Sequence, residues 1–131
     1  VYSEFGKNFV KTMRKLMSER DELNVVSDQI GSPTYAADLA QVIMEIIARG
    51  KWVPGIYHFS NSGVISWYDF AVAIRDLSGL QCRVQPIPSN QYPTPAKRPA
   101  YSVMDTSKIF STFNLVPKPW KDSLIRCLGR L

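Results

Sequence analysis

The chain has 131 residues, 45% of them hydrophobic and 21% charged, with a formal net charge of +5. That length fits one domain with a real core, and the composition excludes bulk disorder and collagen-like fibre. No apolar run reaches the roughly 18 residues of a membrane span, because Glu45 interrupts the longest, Val42 to Ala48.

The opening Val1-Tyr2-Ser3 reads as the end of a strand whose earlier half is missing, so we expect a piece of a longer protein. Apolar spacing then predicts a first helix from about Asn8 to Arg20, with Phe9, Met13, Leu16 and Met17 on one stripe. Lys11, Arg14 and Lys15 fall on its outer, solvated face. Leu23 to Val26 is a short strand candidate. A second helix follows Ser32-Pro33-Thr34 and ends at Gly50, with Ala36, Leu39, Ala40, Ile43, Ile46 and Ile47 as its apolar stripe. Asp38 in its first turn and Arg49 in its last both suit the helix dipole.

Gly55 to Ser60 is the most strand-like segment, since aromatic and branched residues sit between a Pro-Gly turn and Asn61. A third helix opens with Ser66 and Asp69 at capping-box spacing, buries Trp67, Phe70, Ala71 and Ile74, and stops at Gly79. Arg83 to Pro88 and Tyr101 to Met104 are further strand candidates. Between them, Pro86, Pro88, Pro93, Pro95 and Pro99 make a stiff extended loop with Lys97 and Arg98 at its end. A short fourth helix covers about Thr106 to Phe113. The fifth starts near Pro119 and turns Trp120, Leu124 and Leu128 inward. The expected fold is therefore α/β, with about five helices, short strands and some parallel pairing in a single domain over residues 1–131.

Several chemistries find no residues here. The glycines at 6, 31, 50, 55, 63, 79 and 129 form no Gly-rich dinucleotide loop, and no tyrosine has a lysine four positions later. The lone histidine, His58, alternates with apolar neighbours and reads as a packed or edge-strand residue. Cys82 and Cys127 match no metal or redox spacing; with no signal peptide ahead of them, they are expected as reduced thiols in the cytoplasm. The positive charge favours an anionic partner. No strand or helix face interleaves aromatic and basic residues, which argues against nucleic acid.

Three segments together carry a resemblance. They are Gly6-Lys-Asn-Phe-Val, Asp28-Gln-Ile-Gly-Ser-Pro-Thr-Tyr-Ala-Ala-Asp-Leu-Ala, and Tyr92-Pro-Thr-Pro-Ala-Lys-Arg-Pro followed by Ser102 and Asp105. Their order and spacing resemble the C-terminal portion of the dTDP-4-dehydrorhamnose reductases, which are extended short-chain dehydrogenases/reductases. The resemblance implies the substrate-binding part of a two-part enzyme. An N-terminal Rossmann domain would hold NADPH (or NADH) and the Tyr/Lys pair, and the C4 ketone of a dTDP-sugar would receive the hydride. It also implies that Gly55 to Ser60 joins the edge of that absent sheet, and that this chain alone holds no cofactor. Some members form metal-bridged dimers through glutamates. Here Ala37 takes the second-helix position and Arg130 stands near the C-terminus, which sets the sequence against a magnesium site. A non-catalytic binding or regulatory relative is the alternative reading, and a homodimer or other self-association is a further expectation.

Substrate-binding candidates are Arg98, Asn8, Gln29, Lys97, Phe9 and Tyr92; catalytic and metal residues are expected to be absent from the chain. Arg98 leads, because a planar fork suits a pyrophosphate and rigid flanking prolines limit its lost rotamer freedom. Its rival role is a surface salt bridge, and Lys97 is either a second cation or simply solvated. Asn8 serves equally as phosphate ligand or helix N-cap. Phe9 is a base-stacking platform or core. Tyr92 lies against the nucleotide or packs on its prolines. Ser32 or Thr34 caps the second helix, whereas nothing local needs the Gln29 side chain.

Overall fold

Residues 1–131 are all described in the computed structural model, which forms five α-helices and four short strands. Burial alternates along strand β1, Glu22–Val26: Leu23 and Val25 are buried while Glu22 and Asn24 are exposed. Its partner β4, Arg83–Ile87, runs parallel to it with Leu23 opposite Val84 and Val25 opposite Pro86. Pro86 has no N–H to donate and sits here in a two-stranded sheet, where an edge accommodates it.

Helices cover this pair. Helix α1, Phe9–Glu19, buries Val10, Met13 and Met17, three and four positions apart on one face. Helix α3, Trp67–Leu77, opens with the expected capping box between Ser66 and Asp69 and buries Phe70, Ala71 and Ile74. Helix α5, Trp120–Leu128, adds Leu124 and Cys127 to the same core. Both cysteines are free and buried, and no helix is long and apolar enough to cross a membrane.

Four expectations need correction. The segment Gly55 to Ser60 forms no strand, because no other strand of the chain runs beside it. Its Tyr57 and Phe59 instead pack on a small cluster of Ile109, Phe113 and Leu115, to which helix α4, Ser107–Phe113, contributes. Tyr101 to Met104 contributes one parallel bridge, Tyr101 to Ile30, and no strand. Helix α2 forms over Ala36–Ala48, yet its apolar stripe is not core: Ala40, Ile43 and Ile47 are exposed, and Asp38 is its one buried residue. Periodicity marks a face that favours burial; it does not supply an element to cover it. Trp67 is 36% exposed rather than buried, since it stands at the first turn of α3, beyond the sheet.

The buried Asp38 organises three segments. Its carboxylate accepts hydrogen bonds from Asn61 Nδ2 at 2.9 Å, from Arg126 Nη1 at 2.6 Å, from Lys118 Nζ at 3.3 Å and from the Ser123 hydroxyl. Asn61 Oδ1 in turn accepts from the Tyr35 backbone N–H at 2.8 Å. Burial pushes the Asp38 carboxyl up, but the Ser123 and Asn61 hydrogen bonds and the Arg126 guanidinium outweigh it and hold it at about 2, against an ordinary 3.8.

A carboxyl that is more acidic folded than unfolded stabilises the fold above its unfolded value. That stability is lost as pH falls from 3.8 through about 2. The amount at stake is roughly 2 kcal/mol. Urea unfolding at stepped pH should show this acid limb, and Asp38→Asn should flatten it. Equal slopes in the two proteins would exclude Asp38 as the source.

Candidate functional site

Two very short strands build a pocket. Strand β2, Ile30–Gly31, pairs antiparallel with β3, Ile65–Ser66. Neither was apparent in the sequence, because two residues carry no periodicity. The free edge of β2 takes up the end of the proline-rich loop: Ile30 N donates to Ala100 O at 2.8 Å, and Ser102 N donates to Ile30 O at 2.9 Å. The approach is close at Gly31, where a Cβ would lie 2.9 Å from Ser102 Oγ and would push that hydroxyl aside. Ser32 Oγ then reaches across to Gly63 O at 2.7 Å and extends the pairing past the ladder.

Over this floor lies a pocket of about 210 Å³, lined by Val1, Tyr2, Phe9, Gln29, Gly31, Ser32, Pro33, Ile65, Ser66, Trp67, Phe70 and Ser102. One wall is aromatic. The Phe9 ring stands 4.8 Å from Trp67 and stacks 5.7 Å from Phe70, whose ring is 5.3 Å from Tyr2. Gln29, Ser32, Ser66 and Ser102 are the pocket's polar lining residues. No lysine, arginine, aspartate or glutamate lines it. Such a surface can stack on an uncharged ring and hydrogen-bond its polar edge; it cannot neutralise a phosphate.

The six candidates therefore divide. Phe9 and Gln29 line the pocket. Gln29 is not idle as expected, because its Nε2 donates to Ser89 Oγ at 3.3 Å. The short 3₁₀ turn Ser89–Gln91 that brings Ser89 there is held by Asp28, which accepts from Ser89 N at 2.9 Å. Those Ser89 hydrogen bonds, side chain first, draw the Asp28 carboxyl below its usual range. Asn8 is the N-cap of α1: its Oδ1 accepts from Lys11 N at 3.3 Å and its Nδ2 donates to Ser3 O at 2.7 Å. Tyr92, Lys97 and Arg98 are exposed on the loop and do not line this pocket. Arg98 stands two positions before the anchored Ala100, and none of the chain's salt bridges uses it.

Sequence reasoning missed Trp67 as a pocket wall by assigning it to the core. Its signal was available: a large aromatic directly after an N-cap serine sits at a helix end, where burial is incomplete. Arg130 pairs with Glu4 Oε1 at 3.2 Å and approaches the Tyr35 hydroxyl at 3.3 Å, so a partnered cation occupies the C-terminal position. No three His, Cys, Asp or Glu side chains converge on a common point.

The family model described as RmlD substrate binding domain matches residues 1–131. Spore coat polysaccharide biosynthesis protein SpsK of Bacillus subtilis (strain 168) is 44% identical over 124 residues, covering 95% of this chain and 42% of that protein. The dTDP-4-dehydrorhamnose reductase of Aggregatibacter actinomycetemcomitans is 44% identical over 133 residues, covering 94% and 45%. Among solved structures, the dTDP-4-dehydrorhamnose reductase of Bacillus anthracis in complex with NADP superposes with a TM-score of 0.90. It shares 38% identity and covers 98% of this chain and 44% of that one. The Clostridium acetobutylicum reductase gives 0.87 at 41% identity, covering 95% and 44%. The chain thus spans less than half the length of these relatives.

The capping role of Asn8 is directly measurable. Asn8→Ala should cost about 1 kcal/mol in urea unfolding, and Asn8→Asp, which keeps the accepting oxygen, should cost less. Should alanine leave stability unchanged, the side chain is not held there by the helix.

Proposed function

This chain belongs to the RmlD substrate binding domain family, and we propose that it is the sugar-nucleotide-binding portion of an NADPH-dependent dTDP-4-dehydrorhamnose reductase. One observation carries the reading. The two most specific strings, Asp28 to Ala40 and Tyr92 to Pro99 with Ser102, are far apart in sequence and meet at β2, where Ile30 bonds to Ala100 and Ser102 beside a pocket of about 210 Å³.

In this reading the ligand divides as the surface does. An uncharged ring of the dTDP-sugar occupies the pocket against Phe9, with the Gln29 carboxamide at its polar edge. The pyrophosphate lies outside, where Arg98 meets it with a bidentate fork and Lys97 adds a second charge. Tyr92 lies along the nucleotide. The N-terminal turn of α1 after Asn8 faces the same anion. These residues bind, orient and exclude water around the C4 ketone.

The relative crystallised with NADP supports NADPH as the parent's reductant, which supplies the hydride when bound. The residues present here do not fit a dinucleotide: there is no Gly-rich loop, and no cationic side chain lines the pocket. The hydride step therefore belongs to the remainder of the parent protein, which we place in the cytoplasm. The exposed Ile43, Met44 and Ile47 of α2 favour self-association of the chain when it is isolated.

Three measurements follow from the reading. In the full-length reductase, Arg98→Ala should raise the Michaelis constant and the dTDP inhibition constant roughly ten- to a hundredfold, with Arg98→Lys between it and wild type. If Arg98→Ala changes neither and Lys97→Ala raises both, the anchor is misassigned. This chain mixed with NADPH and dTDP-4-dehydrorhamnose should not consume the reduced cofactor, and turnover above a no-protein control would contradict that. Sedimentation across a concentration series should show species larger than monomer; a monomer throughout would count against the α2 face.

A further inference from the structure

Asn61 touches no pocket wall, yet it stands where both walls begin. Thr34 and Tyr35 end the segment that supplies Gly31, Ser32 and Pro33 to one side, and four residues after Asn61 the chain supplies Ile65, Ser66 and Trp67 to the other. The β2–β3 ladder holds these sides together over two residue pairs only. We infer that Asn61, held by Asp38, is the positioning residue that sets the spacing of the two pocket walls and so tunes affinity for the sugar nucleotide. This inference rests on the proposed binding site and deepens it.

The geometry is specific. Asn61 is 1% exposed. Its Oδ1 accepts from Tyr35 N at 2.8 Å, and its Nδ2 serves Asp38 Oδ2 at 2.9 Å, Ser123 Oγ at 3.0 Å and Lys118 O at 3.2 Å. The position requires an acceptor facing Tyr35 and a donor facing a carboxylate within one short side chain, and a carboxamide provides both. Aspartate would put two carboxylates about 3 Å apart; alanine would strand a buried N–H and part of a buried charge.

Displacement at Tyr35 has a short path to the pocket. Its ring is fully buried and stacks 5.5 Å from Tyr2, which lines the pocket, and Tyr2 is bonded on both sides to Thr34 and Ala36. A purely structural asparagine would be read in stability alone. A positioning asparagine is read in affinity beyond any loss of stability.

The experiment uses the full-length reductase and titrates dTDP by calorimetry beside thermal melting. Asn61→Asp and Asp38→Asn should each weaken dTDP about tenfold. The double variant restores a donor at 38 facing an acceptor at 61, and it should recover affinity to within about threefold of wild type. Met17→Ala, in the core at the far end of α1, should lower the melting point without changing dTDP affinity. Equal affinity in Asn61→Asp and wild type overturns the inference, as does a double variant no better than the singles. If the singles do not fold, a folded double variant that binds more than tenfold weaker overturns it as well. A wild-type protein that fails to bind dTDP sinks the binding reading and this inference with it, whereas binding that is unmoved in the variants sinks the inference alone.

Discussion

A buried carboxylate in the first turn of α2 is the constraint on which this fold depends. Asp38 alone in an apolar interior would be prohibitively costly, and would protonate rather than stay charged. It remains ionised because Asn61, Ser123, Arg126 and Lys118 converge on it from the 60s segment, from α5 and from the stretch before α5. Breaking such a set by removing one partner is costly, while its net contribution to stability is modest. Its value lies in specifying which segments lie together. The two cations remain partly exposed, so the desolvation cost falls mainly on the carboxylate.

In the proposed binding reading, two kinds of recognition are kept apart. Aromatic area and neutral hydrogen bonders line the pocket, and Lys97 and Arg98 stand exposed on a proline-stiffened loop. A nucleotide sugar has the same division, with uncharged rings at either end of a dense anion. Placing the cations on exposed loop positions keeps them hydrated until a ligand arrives, which avoids the penalty of a charge buried without a partner. Prolines on either side of the Lys97–Arg98 pair limit the conformational entropy the loop can lose on binding.

Features of the sequence that act locally were legible. Ser66 with Asp69 as a capping box, the cap at Asn8 as one of the two roles offered for it, and the separate strands near Leu23 and Arg83 all depend on neighbours within a turn or on simple alternation, whereas the pairing of those strands does not. Features that depend on distant partners were not. Nothing near Asp38 reveals that its neighbours will be Asn61 and Ser123, and dipole compensation was the only role its own surroundings suggested. The strand pattern at Gly55 to Ser60 was sound as a pattern, but a strand needs a partner backbone as well as suitable side chains. Of the candidates drawn from the motifs, Phe9 and Gln29 line the pocket. Trp67 was missed because apolar spacing does not distinguish a core position from the lip of a pocket.

The pairing of β1 with β4 also bears on how the chain reaches its native state. Ser27 N–H and the Ile87 carbonyl, which close the end of that ladder, are separated by 60 positions. All of α2 and α3 must be gathered in before the first parallel bond forms. Loop-closure entropy rises slowly with length, by about 0.6 kcal/mol per doubling, but it must be spent before any contact rewards it. Helices α1 and α3 can form their first turns from local caps alone, whereas the sheet and the pocket floor wait on long-range encounters. The pocket floor, where Ile30 bonds to Ala100 across 70 positions, carries a closure cost of the same kind.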